Sequence, residues 1–89
     1  MAKVEIYTTF LCGYCSNAKN LLNKKGINYN EIDVSYNLDE RKIMENRASG
    51  KSTVPQIFIN GNSIGGFDEL VELNNQSLLE DLDANFLEK

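Results

Sequence analysis

Two cysteines close a four-residue motif, Cys12-Gly13-Tyr14-Cys15, at the junction of two unlike patterns. Before them, Val4-Glu5-Ile6-Tyr7 is short and β-branched, the signature of a strand, with Thr8 to Leu11 as a loop. After them, from Tyr14 on, Ala18, Leu21 and Leu22 recur at helical spacing, with Lys19, Lys24 and Lys25 on the opposite side. Lys24 and Lys25 suit the negative end of a helix dipole, and Gly26 suits the cap that follows. The chain must therefore fold so that a dithiol sits where a strand hands over to a helix. That requirement narrows the rest of the reading.

Downstream, Ile27 to Val34 alternates as a second strand. Leu38 to Ala48 predicts a second helix, with Asp39 and Glu40 in its first turn, Ile43 and Met44 on its apolar face, and a stop at Ser49-Gly50. Val54 to Ile59 is the most apolar strand, and its consecutive Ile57, Phe58 and Ile59 predict burial on both faces. Asn60-Gly61 is a hairpin turn signal, so Ser63-Ile64 becomes a short return strand ended by Gly65-Gly66. Asp68 to Leu73 predicts a short helix. Ser77-Leu78-Leu79-Glu80 reads as a capping box that opens a last helix to about Phe86. The order β-α-β-α-β-β-α with a final helix predicts an α/β fold, a mixed four-stranded sheet flanked by helices. Its first βαβ unit should be parallel with a right-handed crossover.

Length and charge remove several function classes. Eighty-nine residues allow a single domain spanning 1–89 and one modest core. Nine basic against 13 acidic residues leave a net charge of −4, which disfavours nucleic-acid phosphates. No apolar run approaches a membrane span, and Lys3 and Glu5 interrupt the apolar segment at the N-terminus, so no signal peptide is expected. The expectation is a cytoplasmic chain in a reducing compartment. The sequence contains no His, so imidazole catalysis and His-containing metal sites are excluded.

Four readings of Cys12 and Cys15 compete. A zinc site wants about four ligands, and two thiols without imidazole do not supply them. A structural disulfide closing so short a loop contributes only about 2 kcal/mol in the chain-entropy account. Inert buried cysteines fit poorly with a polar, glycine-containing turn. A redox dithiol fits best. At a helix start, orphan backbone N–H groups and the positive end of the dipole favour the thiolate at Cys12. Cys15 stands one turn along, placed to resolve a mixed disulfide formed on Cys12. Next to a βαβ pattern, the motif points to a thioredoxin-like fold.

Three blocks now carry a resemblance. They are Val4-Glu5-Ile6-Tyr7-Thr8 leading to the Cys12–Cys15 motif, Thr53-Val54-Pro55-Gln56-Ile57-Phe58-Ile59, and Ile64-Gly65-Gly66-Phe67-Asp68-Glu69-Leu70. Together they resemble the glutaredoxins, in particular the small bacterial dithiol kind, from about Lys3 to the C-terminal helix. The resemblance implies that Pro55, the only proline, follows a cis bond. That would turn the backbone groups of Val54 toward the cysteinyl part of glutathione. It implies that the helix start after Gly66, through the N–H groups of Phe67 and Asp68, holds the γ-glutamyl carboxylate, while the Asp68 side chain takes the α-amino group. It implies that Tyr14 flanks the tripeptide and that Lys42, by its spacing from Thr53, faces the glycine carboxylate. The plain alternatives are a packing tyrosine, a solvated lysine and an Asp68 that only caps a helix.

The chain departs from the pattern at three places. Thr9 stands where the family often has lysine, Gly13 where it often has proline, and Phe67 where a third cysteine often occurs. What the resemblance implies is a glutathione-dependent thiol–disulfide oxidoreductase, expected as a monomer. Glutathionylated or disulfide-bonded proteins would be its substrates, and an NADPH-dependent reductase would recycle the glutathione. The alternative is a homodimeric carrier of a [2Fe–2S] cluster held by Cys12 and glutathione, a reading that Gly13 makes more permissive. A third is a redoxin fed by thioredoxin reductase.

Overall fold

The structure, a computed structural model, is described over residues 3–79. Its elements are β1 (Val4–Thr8), α1 (Gly13–Lys24), β2 (Asn30–Asp33), α2 (Leu38–Arg47), β3 (Gln56–Ile59), β4 (Asn62–Gly65) and α3 (Phe67–Asn75). The strands form one sheet in the order β2-β1-β3-β4. β1 pairs parallel with β2 and antiparallel with β3, and β3 pairs antiparallel with β4. The expected mixed four-stranded sheet is present.

Period-two alternation in the two central strands divides the core. Val4, Ile6, Ile57 and Ile59 face Ala18 and Leu22 of α1 and Leu70 of α3. Tyr7 and Phe58 face the other way, onto Met44 of α2 and Ala48 at its end. Helices thus cover both faces, and β3 is buried along its whole length, as its unbroken apolar run predicts. Each fully buried large apolar side chain contributes about 1.5–3 kcal/mol.

α1 closes as its sequence predicts. Gly26 has φ +71°, and the N–H groups of Gly26 and Ile27 reach back to the carbonyls of Asn23 and Leu22, each at 3.0 Å. Only a residue tolerant of positive φ fits that capping geometry. The cap also consumes Ile27, which packs against the core instead of entering a strand. β2 is therefore shorter than the alternation suggests. β3 starts at Gln56, two residues later than expected, after a proline that has no N–H to donate to a ladder. The capping box expected from Ser77 to Glu80 reaches beyond the described residues, but Ser77 itself is described. It lies at φ +59° and closes α3, its N–H donating to Asn74 O at 3.0 Å and that of Leu78 to Leu73 O at 3.0 Å. The last helix, expected to run to about Phe86, lies outside the described residues.

α2 begins well and buries little. Asn37 Oδ1 accepts from Glu40 N–H at 3.0 Å, and Asp39 and Glu40 sit in the first turn, but within the helix only Met44 is buried. Arg47 supplies the second anchor. Its Nη1 donates to Tyr7 Oη and its Nη2 to Glu5 Oε1, each at 2.8 Å. Its guanidinium carbon lies 4.1 Å from the centre of the Phe58 ring. The hydrogen bond from Arg47 is the main cause that holds the Glu5 carboxyl below its ordinary 4.5. A carboxyl lowered on folding stabilises the fold above its ordinary value, and that contribution fades as pH falls below it. Arg47→Met, which keeps the aliphatic stem, should lose about 1–2 kcal/mol in urea denaturation at pH 7, between the values for exposed and buried pairs. The gap to wild type should narrow below pH 4.5. A gap of equal size at pH 3 would assign the effect to packing alone.

Candidate active site

Cys12 is the residue before α1, with extended backbone (φ −105°, ψ 109°), and it caps the helix with sulfur in place of oxygen. The N–H of Cys15 donates to Cys12 Sγ at 3.1 Å, and the N–H of Ser16 to Cys12 O at 3.1 Å. Cysteine does this work where serine or aspartate usually stands, because the sulfur meets the orphan donors of the first turn. No acidic residue occupies that turn to oppose a negative charge on sulfur. On its other side the Cys12 thiol lies 3.9 Å from the carbonyl of Val54.

The two cysteines are unlike. Cys12 is partly exposed, whereas Cys15 retains only 2% of its accessibility. Burial, and then the hydrogen bond with Cys12, push the Cys15 thiol up to about 12. At neutral pH Cys15 is therefore a protonated thiol behind Cys12. The outer sulfur is the one an incoming disulfide can meet, and only a thiolate attacks.

Beside Cys12 runs a groove of about 430 Å³. One wall is Thr53-Val54-Pro55, and the Val54–Pro55 bond is cis. The other wall is Gly65-Gly66 with the start of α3, Phe67 and Asp68. Tyr14 lines it as well, 64% exposed, its ring 6.2 Å from that of Phe67. The structure thus brings Tyr14, Thr53, Val54, Pro55, Gly66, Phe67 and Asp68 to one place beside Cys12. It does not bring Lys42 there. Lys42 is exposed on α2, whose inward side is taken by Met44, and the lysine that lines the groove is Lys51.

The bend into α3 is held tightly. Gly65 has φ +106°, a conformation in which any other residue is strained, and a Cβ on it would also push aside the Glu69 side chain, whose Oε1 would lie 2.6 Å away. Glu69 Oε1 accepts from the N–H of Gly66 at 2.7 Å. Gly66 N–H is consequently occupied, whereas the N–H groups of Phe67 and Asp68, in the first turn of α3, have no intrahelical carbonyl to meet. Glu69, Lys51 and Gln56 line the groove without having been picked out from sequence. The first had a signal, a glutamate three residues after the glycine that precedes the helix. Gln56 had another, a polar residue at the start of a strand otherwise wholly apolar.

A second groove, about 470 Å³, has Cys12 and Cys15 themselves in its lining and runs from Thr9, Phe10 and Leu11 to Lys19, Glu31 and Asp33. There Glu31 Oε2 accepts from Lys19 Nζ at 2.9 Å and from the Thr8 hydroxyl at 2.8 Å. Among the described residues no group of three or more Cys, Asp or Glu is placed to hold a metal ion, and no helix is long and apolar enough to cross a membrane.

Comparison with known proteins bears on the same residues. The family model named Glutaredoxin matches residues 4–64. Glutaredoxin 3 of Escherichia coli strain K12 is 46% identical over 82 residues, covering 92% of this chain and 98% of the relative. Among solved structures, a glutaredoxin from Brucella melitensis superposes with a TM-score of 0.79 at 45% identity, covering 92% of this chain and 88% of that one. A buckwheat glutaredoxin–glutathione complex superposes with a TM-score of 0.77 at 31% identity, covering 88% of this chain and 73% of that one. A dithiol at a strand-to-helix turn, on a thioredoxin-like sheet, with this likeness along nearly its whole length, makes the chain a member of the glutaredoxin family of thiol–disulfide oxidoreductases.

Proposed function

We propose that this protein reduces glutathione mixed disulfides and protein disulfides, with Cys12 as nucleophile, Cys15 as resolving thiol and glutathione as electron donor. The observation that carries the reading is the groove: two walls able to grip a short peptide meet beside Cys12, whose thiol touches one of them at Val54 O, 3.9 Å away. Glutathione lies along it as an added strand, its cysteinyl backbone on Val54. The N–H groups of Phe67 and Asp68 hold the γ-glutamyl carboxylate, and the Asp68 side chain takes the ammonium group. Tyr14 flanks the tripeptide. Its glycyl carboxylate lies toward Thr53 and Lys51, so Lys51 takes the part that spacing suggests for Lys42. In a domain of net charge −4, with threonine at position 9, that lysine is the cation the groove itself supplies.

In the first step Cys12 thiolate attacks the glutathione sulfur of a mixed disulfide. A Cys12–glutathione bond forms, the old S–S bond breaks, and the substrate leaves as a thiolate that takes a proton from water. A second glutathione thiolate then attacks the bound glutathione sulfur, forming glutathione disulfide and returning Cys12 as thiolate. With a protein disulfide, Cys12 thiolate attacks one substrate sulfur, the substrate S–S bond breaks and the other sulfur leaves as a thiolate that takes a proton from water. Cys15 then loses its proton, attacks Cys12, releases the second substrate thiolate and leaves Cys12–Cys15 oxidised. Two glutathiones reduce that bond in turn, and an NADPH-dependent reductase restores them. The setting is a reducing cytoplasm, with the protein acting as a monomer.

A [2Fe–2S] cluster needs four thiolates. Cys15 is buried behind Cys12, so one chain offers a single accessible sulfur. The remaining donors would have to come from a second chain and two glutathiones, and no feature of the groove favours that arrangement over glutathione chemistry. The test is NADPH-linked turnover of a small glutathione mixed disulfide with glutathione and glutathione reductase. Turnover proportional to protein supports the proposal, and a rate no greater than the protein-free blank overturns it.

A further inference from the structure

Gln56 is at odds with its surroundings. It opens β3, a strand buried throughout, and is itself only 2% exposed. Its side-chain Nε2 donates to Thr53 Oγ1 at 3.1 Å. Its Oε1 is buried and has no hydrogen-bond partner among the described residues. Burying an amide half-satisfied opposes folding, and an apolar side chain of similar size would leave no unpaired atom there. An unpaired buried group in a native fold calls for an explanation, and retention for function is one.

Hydrogen-bond arithmetic supplies that function. A threonine hydroxyl has one hydrogen and two lone pairs. If a lone pair of Thr53 accepts from Gln56, the hydrogen is left to donate elsewhere. Thr53 is exposed and lines the groove, at the wall that also carries Lys51. A hydroxyl donor and an ammonium group on one stretch of wall suit a carboxylate. With the amide turned the other way, the hydroxyl would spend its hydrogen on Gln56 and show the carboxylate only lone pairs.

We propose that Gln56 is a buried positioning residue that aims the Thr53 hydroxyl into the groove as a donor to the glycyl carboxylate of glutathione. The inference rests on the glutathione reading above and adds to it the device that reads the glycyl end. Gln56 belongs to the groove wall but is only 2% exposed, so it acts on the ligand through Thr53.

The experiment compares two mixed disulfides, one of glutathione and one of its C-terminal amide, which lacks the carboxylate charge. For Gln56→Met, which leaves the Thr53 hydroxyl in place but no longer aimed, KM for the first should rise about three- to tenfold, the size of one ordinary hydrogen bond, with kcat nearly unchanged. KM for the amide should match wild type. The thermal midpoint should hold or rise, because a half-satisfied amide has been removed. Thr53→Val, a change at the surface, should reproduce the pattern, and adding Gln56→Met to it should cost nothing more. Equal losses on both probes, or a lowered midpoint with KM unchanged, would mean that Gln56 serves the fold. A lower KM would mean that the hydroxyl points inward. Either result overturns the proposal. Wild-type protein that ignores both disulfides overturns the glutathione reading itself, whereas active wild type with unaltered Gln56→Met kinetics overturns this inference alone.

Discussion

Cys12→Ser should abolish turnover of every disulfide substrate, with a loss on the order of a thousandfold or more. The reason is positional as much as chemical. Cys12 is the partly exposed sulfur, and it receives the N–H of Cys15 at 3.1 Å. Serine keeps the size and the helix cap, so the fold should be unharmed. It loses the thiolate, and with no His in the chain there is no imidazole to activate a hydroxyl in its place. The remaining thiol cannot substitute. Cys15 is buried, and its pKa of about 12 leaves it almost wholly protonated at neutral pH. Stopped-flow mixing with an aromatic disulfide checks this directly. Wild type should release a fast first equivalent of aromatic thiol, and Cys12→Ser should release none on that timescale. Retained fast release would move the nucleophile to Cys15 and reverse the assignment.

Cys15→Ser should separate two activities that wild type combines. Reduction of glutathione mixed disulfides uses Cys12 and a second glutathione, so the variant should retain it within about a factor of a few, the residual arising from the altered donor next to Cys12. Reduction of protein disulfides needs an internal thiol to break the covalent complex, and the variant should lose it nearly completely. Incubated with a protein disulfide, Cys15→Ser should accumulate the mixed disulfide, seen as an adduct in intact-mass spectra. In wild type the resolving step requires the Cys15 proton to leave. Because burial holds that thiol up at about 12, the step should accelerate roughly tenfold per pH unit through the neutral range, provided deprotonation limits it. A Cys15→Ser protein that still reduces protein disulfides at the wild-type rate would remove Cys15 from the cycle.

Much of this arrangement was legible in the chain before any coordinates. The strand-to-helix placement of Cys12–Cys15 followed from two hydrophobic periods meeting at the motif. The buried β3 followed from an unbroken apolar run, and the hairpin from Asn60-Gly61. Local capping was harder to read. Ile27 looks like a strand residue by alternation, yet the Gly26 cap takes its N–H for α1. Ser77 matches a capping box by residue type, yet its positive φ closes α3. Side-chain reach across the fold was not legible. Lys42 and Lys51 are both spaced plausibly from Thr53. Only the path of the chain between α2 and β3 decides that Lys51 lines the groove. Arg47 reads as a favourable charge at a helix end, whereas its partners Glu5, Tyr7 and Phe58 lie on two distant strands. Such contacts depend on register, which pattern alone does not supply.

The central claim is that glutathione serves this dithiol. It is tested most directly by oxidising the wild-type protein to Cys12–Cys15 and offering two reductants separately. One arm holds glutathione with NADPH and glutathione reductase, the other NADPH with thioredoxin reductase. Free thiols are then counted by alkylation and intact mass. The account predicts two alkylated cysteines in the glutathione arm within minutes and an intact disulfide in the other. A disulfide untouched by glutathione and opened by thioredoxin reductase would contradict it.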